Sequence, residues 1–292
     1  MYPAAIEEYV RPETVAEAVD AIGRFKAGDA VFLAGGQSVM QALKTRLLQP
    51  RCVIDLQSIN KLKALSAGGS GGTIGSMTSY STLAQETGLD GAYQALRDAA
   101  ARVGDRQVRN RGTIGGSLCW NYVAACMPAV ALGLGMELVL QGKVATRSLL
   151  ADEFLGGPLE TAREDDEILV SLNLPAAPAN TGSAYKKWGL VTDALPVIGV
   201  CALITTDGSG KCISARIAVG GLGDGPRRSA AAESALTYVS ADNADGIAGA
   251  LQAASDEIET QSDMWASSDY RKLLIRTLGN EVISTAFARA AG

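Results

Sequence analysis

The groups best placed to do chemistry in this sequence are backbone amides presented by paired glycines. In Gln107-Val108-Arg109-Asn110-Arg111-Gly112-Thr113-Ile114-Gly115-Gly116-Ser117, the Gly115-Gly116 pair removes Cβ atoms where N–H groups can converge on an anion. A second pair, in Ala34-Gly35-Gly36-Gln37-Ser38, has the same character earlier in the chain. Together the two loops suit the pyrophosphate of one bound dinucleotide, whereas a lone Gly-Gly pair is more often a plain tight turn. Side-chain chemistry is scarce by comparison. The chain has no histidine, which removes His-based triads and the commonest general base. Its five cysteines, at 52, 119, 126, 201 and 212, form no CxxC pair. That excludes most zinc sites and any standard iron–sulfur ligation by this chain alone. The scattered thiols read as free and buried rather than as a disulfide framework. Any reaction is therefore expected to be carried by a cofactor, with no catalytic residue and no metal ligand assigned.

The elements that must position these loops follow from pattern. Residues 1–55 read as a small βαβ unit. Thr14 to Glu17 forms a capping box ahead of Val15, Val19 and Ile22 on one helical face. The apolar strand Ala30 to Ala34 runs into the first glycine pair, and a helix follows from Val39 to Leu48. Val53 to Leu56 is a second strand. The order G-x-G-x-x-G after a strand is missing, so this is not the Rossmann arrangement. Residues 56–176 form the next unit. Leu62 to Leu65 and Thr73 to Gly75 read as strands joined by Gly68-Gly69-Ser70-Gly71-Gly72, a hairpin loop. Thr82 to Gln85 is a weak capping box, and Ala92 to Val103 a helix. Arg106, Arg109 and Arg111 crowd the second glycine motif. They suit either a solvated face or a surface for a partner or anion. After that motif come a buried helix over Ala129 to Leu134 and strands at Glu137 to Leu140 and Glu167 to Leu172. The Pro175 to Gly182 stretch is a linker by composition. Residues 183–292 read as an α+β domain. Asp207-Gly208-Ser209-Gly210 joins a hairpin whose second strand buries Ile213, Ala215, Ile217 and Val219. A last helix carries Tyr270, Leu274, Leu278 and Val282 on one face.

Composition narrows the class further. The chain is 47% hydrophobic and 20% charged, ordinary for a globular protein with a full core. A net charge of −5 argues against a non-specific nucleic-acid binder. No apolar run reaches the ~18 residues of a transmembrane helix. Met1-Tyr2-Pro3 lacks the regions of a signal peptide, so a cytoplasmic location is expected.

Essentially the whole chain resembles the FAD-binding medium subunits of the molybdenum hydroxylases, the family of carbon monoxide, xanthine and N-heteroaromatic dehydrogenases. Ala34-Gly35-Gly36-Gln37-Ser38 is similar to the first family loop, and Val108 to Ser117 to the second. Two loops in this order and spacing are far more specific than either alone. The resemblance implies an α+β fold with two FAD-binding subdomains of the vanillyl-alcohol oxidase type, plus a small C-terminal α+β domain. It implies FAD contacts from Leu33, Ala34, Gly35, Gly36, Gln37, Ser38 and Val39, and from Thr113, Ile114, Gly115, Gly116 and Ser117. Both loops would grip the pyrophosphate. It adds Leu169 as apolar packing and Lys187 as a charge or hydrogen bond toward the cofactor; without it, Leu169 is strand core and Lys187 a surface lysine.

The implied assembly places a molybdenum cofactor on a large subunit and two 2Fe–2S clusters on a small one, in a dimer of heterotrimers. Electrons would reach the FAD held here and leave to an external acceptor. No cysteine-rich insert for a further cluster lies between Ile114 and Leu172. After the second loop the chain departs from its family. Trp120 stands where histidine is common, Tyr122 where aspartate is common, and Cys126 where an acid often sits. The aromatic pair suits either the flavin ring or a partner, or else core packing beneath the loop. It tilts the expected substrate toward an N-heteroaromatic compound. The alternative is a self-standing FAD-dependent oxidase or dehydrogenase of the same fold.

Overall fold

A computed structural model describes residues 5–68 and 70–292; Met1 to Ala4 and Gly69, on which the N-terminal and hairpin-loop expectations partly fall, lie outside them. The first unit alternates strand and helix: β1 (Glu8–Val10), α1 (Val15–Ile22), β2 (Ala30–Leu33), α2 (Val39–Thr45) and β3 (Cys52–Asp55). Its sheet is parallel, in the order β1-β3-β2. Thr14 caps α1, its side chain accepting from Glu17 N at 3.2 Å. The Glu17 carboxylate reaches back to Glu13 N, not to the Thr14 amide as a closed box requires. Val15, Ala18, Val19 and Ile22 then pack on the fully buried β3. The helix expected to reach Leu48 ends at Thr45, where Arg46 turns left-handed at φ 61°.

The second unit holds β4 (Leu65–Gly68), β5 (Gly71–Gly75), α3 (Tyr80–Gln85), α4 (Gln94–Ala100), α5 (Arg106–Arg111), α6 (Ile114–Trp120), α7 (Cys126–Leu134), β6 (Glu137–Gln141), β7 (Thr146–Leu150), α8 (Ala151–Phe154) and β8 (Ile168–Leu174). Its strands form an antiparallel sheet in the order β4-β5-β8-β6-β7. Two expectations are corrected here. Leu62 lies in a 3-10 turn, Asn60–Lys63, instead of a strand. Ser79, not Thr82, caps α3, because its hydroxyl accepts from Thr82 N at 3.2 Å.

The last unit comprises β9 (Thr181–Trp188), β10 (Ile198–Thr206), β11 (Cys212–Gly220), β12 (Arg227–Arg228), α9 (Ala230–Ala235), α10 (Ala244–Glu257) and α11 (Ser268–Ala290). Its antiparallel sheet runs β12-β11-β10-β9. The hairpin turn forms as the Asp-Gly-Ser-Gly run suggests. Asp207 Oδ1 accepts from Ser209 N at 2.8 Å and Lys211 N at 3.0 Å. Burial along β11 departs from simple alternation. Ile213 is exposed and Cys212 buried, while Ile217, Ala218 and Val219 are all buried. A bulge opposite Thr205 and Thr206 turns Cys212 inward and Ile213 outward, and further along β11 is covered on both faces. Ile217 and Val219 pack with α10 and α11, whereas Ala218 joins the core of the second unit against α7. In α11, Leu274, Leu278 and Val282 are buried as their spacing predicts. Tyr270 sits at the edge instead, packed edge-on against Trp188 at 5.3 Å.

All nine residues of α7 are buried between the second and third units. A Cβ at Gly133 would come within 2.6 Å of Cys201 Sγ, so only glycine lets α7 approach β10 this closely. One core therefore runs from Leu96 and Val130 into Tyr185, Cys201 and Ala218. The 175–180 linker is bridged by packing on either side. Asp98 on α4 clamps the junction, taking Arg289 of α11 at 2.6 and 3.1 Å and Tyr185 N at 3.1 Å.

Candidate functional site

A cavity of about 1220 Å³ opens between the first and second units and extends to the β9–β10 loop. It exceeds the ~300–1,000 Å³ of ordinary small-molecule pockets. Both glycine motifs stand in its wall. The first is the β2–α2 turn, where Gly36 takes φ +75°, a left-handed conformation that favours glycine. A Cβ at Gly35 would lie 2.0 Å from the Arg111 carbonyl oxygen and 2.8 Å from Gly112 Cα. The two motifs, distant in sequence, are thus in backbone contact, and Gly35 is the residue that allows it.

Their amides differ in an unforeseen way. The second motif is not a loop but the capped start of α6. The Thr113 hydroxyl accepts from Gly116 N at 3.1 Å. Ile114 N donates to Thr78 O at 3.1 Å, Gly115 N to Ser76 O at 2.9 Å, and Ser117 N to Thr113 O at 3.1 Å. These donors are spent inside the protein and are not free for an anion. In the first motif the N–H groups of Gly36, Gln37 and Ser38 find no acceptor among the described residues. The first loop therefore offers donors, and the second offers a wall without Cβ atoms. The two glycines of that wall do different work. Gly115 is buried, and a Cβ there would meet Ser76 Cβ at 2.5 Å and Ser76 O at 2.6 Å. Gly116 lines the cavity, with Ala34 Cβ 3.5 Å from where its own Cβ would stand.

Of the residues singled out in the sequence, Ala34 to Val39, Thr113, Gly115, Gly116, Ser117, Trp120, Leu169 and Lys187 all line this cavity. Ile114 and Leu33 do not. Ile114 is core, 1% exposed, and Leu33 faces a separate polar recess of about 330 Å³ beside Lys44 and Arg111. Trp120 ends α6 and lines the cavity without joining a buried core cluster, so packing beneath the loop is not its role. Asn121 follows at φ 41°, and its Nδ2 donates to the carbonyls of Gly157 at 3.1 Å and Glu160 at 2.8 Å. That seats the 156–160 turn, from which Leu159 reaches the cavity wall. Tyr122 is 41% exposed at the rim.

Lys187 is half-buried, not a surface lysine. Its Nζ donates to the Ala194 carbonyl, and burial lowers its pKa from the ordinary lysine value. Two thiols face the same space. Burial pushes Cys119 up to about 11 and raises Cys126 as well. All five cysteines are free. The arginine cluster divides: Arg109 is tied to the Val103 and Gly104 carbonyls at 3.2 and 2.6 Å, while Arg106 and Arg111 remain exposed.

Several wall residues carry no local signal in the sequence. Arg163, Asp165 and Asp166 arrive on the connection before β8, and Leu195 and Pro196 on the β9–β10 loop. Arg163 orders its segment by donating to the Glu164 and Glu167 carbonyls at 2.7 and 2.8 Å. No group of three metal-ligating side chains occurs among the described residues. Unpaired amides on one glycine loop, a Cβ-free face opposite, long apolar walls and the half-buried cations Lys187 and Arg163 together fit an elongated dinucleotide.

A family model described as the FAD binding domain in molybdopterin dehydrogenase matches residues 4–177. Another, described as the CO dehydrogenase flavoprotein C-terminal domain, matches residues 183–286. The chain is 31% identical to the carbon monoxide dehydrogenase medium chain of Hydrogenophaga pseudoflava over 97% of its own length and 98% of that relative's. The solved carbon monoxide dehydrogenase from the same organism superposes with a TM-score of 0.92 over 99% of both chains. Quinoline 2-oxidoreductase from Pseudomonas putida 86 gives 0.90 at 26% identity, covering 100% of both.

Proposed function

The chain belongs to the FAD-binding flavoprotein family of the molybdopterin dehydrogenases, and from that premise we propose that it is the medium subunit of a heteromeric molybdenum hydroxylase. A bound FAD would supply the redox chemistry, linking one-electron delivery from iron–sulfur clusters of a partner to an external acceptor. The observation that carries this reading is the backbone contact between the two glycine motifs in the wall of one large cavity. The protein's own contribution is binding, orientation and electrostatics. The amides of Gly36, Gln37 and Ser38 would hold the pyrophosphate. Gly116 beside Ala34 would let the cofactor lie close to the backbone. Trp120, Val39 and Leu169 would give the ring systems apolar and aromatic surface, and Lys187 would face the cofactor as a cation. Residues 1–55 and 56–176 form the two halves of this site, and residues 183–292 close one end of it.

The chain has no histidine to serve as a base, and we place substrate oxidation on another subunit. We assign a small iron–sulfur subunit and a large molybdopterin-binding subunit as partners, assembled as a dimer of heterotrimers in the cytoplasm. No helix among the described residues is long and apolar enough to cross a membrane. The likeness to quinoline 2-oxidoreductase supports an N-heteroaromatic substrate. Affinity purification of the tagged chain from its native cell tests the assignment. Two further subunits, with molybdenum and iron in the eluate, are expected, together with bleaching of the flavin bands when an N-heteroaromatic compound is added. A lone flavin-loaded chain that oxidises a substrate at full rate contradicts it and favours a self-standing dehydrogenase.

A further inference from the structure

One end of the cavity is built from groups that the pyrophosphate assignment leaves unused. Tyr185 and Lys187 lie two residues apart on β9, so both side chains leave the same face. That face meets the start of α7, where Cys126 is buried and lines the cavity. The Tyr185 hydroxyl faces the Cys126 thiol. It can lie flat across β10 because Gly199 has no Cβ; one placed there would come 2.3 Å from the Tyr185 oxygen. The Lys187 ammonium is anchored on the Ala194 carbonyl, beside Leu195 and Pro196 in the cavity wall.

The charges around this end are unbalanced. Burial raises both Cys126 and Tyr185 above their ordinary values, so both are neutral near pH 7. The remaining groups that act on Lys187 are Asp193, exposed on the β9–β10 loop, and Arg102 and Arg109, which add positive charge. No carboxylate forms an ion pair with Lys187 among the described residues. A cofactor ring that takes up two electrons and one proton gains one negative charge, and an uncompensated cation nearby stabilises that charge.

We propose that Cys126, a neutral thiol facing Tyr185, leaves Lys187 as an unneutralised cation at this end of the cavity and thereby holds the bound flavin at a higher reduction potential than a carboxylate at position 126 would allow. Cys126 is thus a positioning residue for charge. The proposal rests on the flavin-subunit reading above.

The test is a spectroelectrochemical titration of the flavin in the purified holoenzyme, comparing wild type with Cys126→Asp and Cys126→Ser. Cys126→Asp should lower the reduced-to-oxidised ratio at fixed potential at least tenfold, about 30 mV for a two-electron couple. Cys126→Ser should stay near wild type, since it adds no charge. Flavin-loaded wild type and Cys126→Asp with the same potential overturn the proposal and leave the subunit reading intact. A wild-type complex without flavin overturns both. Should Cys126→Asp fail to retain flavin, Lys187→Gln carries the test. A lowered potential supports the proposal, and an unchanged one overturns it.

Discussion

Two adjacent glycines should give opposite phenotypes when each is replaced by alanine. Gly115 is a packing residue. Its new methyl would meet Ser76 Cβ, O and Cα at 2.5, 2.6 and 2.9 Å, and two of those atoms are backbone. Relief requires α6 to move off the segment before α3, at an overpacking cost of roughly 1–3 kcal/mol. The same movement stretches the Gly115 N to Ser76 O bond, 2.9 Å long, adding about 0.5–1.5 kcal/mol. Alanine returns about 1 kcal/mol of helix propensity. The net expectation for Gly115→Ala is a loss of roughly 1–3 kcal/mol, read as a lower Tm of about 2–4 °C per kcal/mol. Gly116→Ala meets the Thr113 hydroxyl at 2.8 Å, so the cap it forms on α6 must give at a cost of about 0.5–2 kcal/mol, and meets Ala34 Cβ at an ordinary 3.5 Å. Its stability should stay within about 1 kcal/mol of wild type, again helped by helix propensity. Its methyl, however, stands in the cavity wall between the motifs, so flavin content should fall. The assay pairs thermal unfolding of the flavin-free chain with flavin absorbance per chain after reconstitution. Gly116→Ala retaining full flavin, or Gly115→Ala melting like wild type, would refute the division of labour drawn from the amide bonds.

Asp98→Ala should destabilise the junction between the second and third units by about 2 kcal/mol, because it leaves Arg289 with only the Ser183 carbonyl and the Tyr185 amide without its acceptor; thermal unfolding reads this directly. Glu167 supplies an acid dependence. Its carboxylate accepts from Arg147 Nε at 2.6 Å and is held below the usual glutamate range, first by that hydrogen bond. A depressed folded pKa contributes stability that is present above the unfolded value, about 4.3, and is lost as pH falls through the folded one. Wild type should therefore lose stability below about pH 4.3 more steeply than Glu167→Gln, measured by urea unfolding across that range.

Much of this arrangement could be read from residue pattern where a local rule governs. The Thr14 cap, the Asp207 hairpin turn and the buried stripe of α11 each depend on neighbours within a few residues, and each forms. The two glycine motifs were legible as a pair, though not the reason for their glycines. Gly35 serves contact with Arg111 and Gly112, which no local window contains. The second motif looked like an anion loop because its composition does not reveal that Ser76 and Thr78 present carbonyls to it. By its own neighbours Lys187 reads as a surface residue, because the loop that buries it lies beyond it in sequence; only the family resemblance points it toward the cofactor. Ile213 breaks the alternation of β11 because a bulge opposite Thr205 and Thr206 turns Cys212 inward and leaves Ile213 outside, while α7 covers the other face further along. Arg163, Asp165 and Leu195 reach the cavity only through tertiary folding.

We infer that the contacting glycine motifs, with donors from the first alone, form the seat of one FAD. Flavin stoichiometry of the purified wild-type complex tests it most directly. One FAD per chain, lost on Gly35→Val, which drives side-chain atoms into the Arg111 carbonyl, is the expected result. A complex that carries no flavin and takes up none from excess FAD, or one whose flavin survives Gly35→Val unchanged, contradicts it.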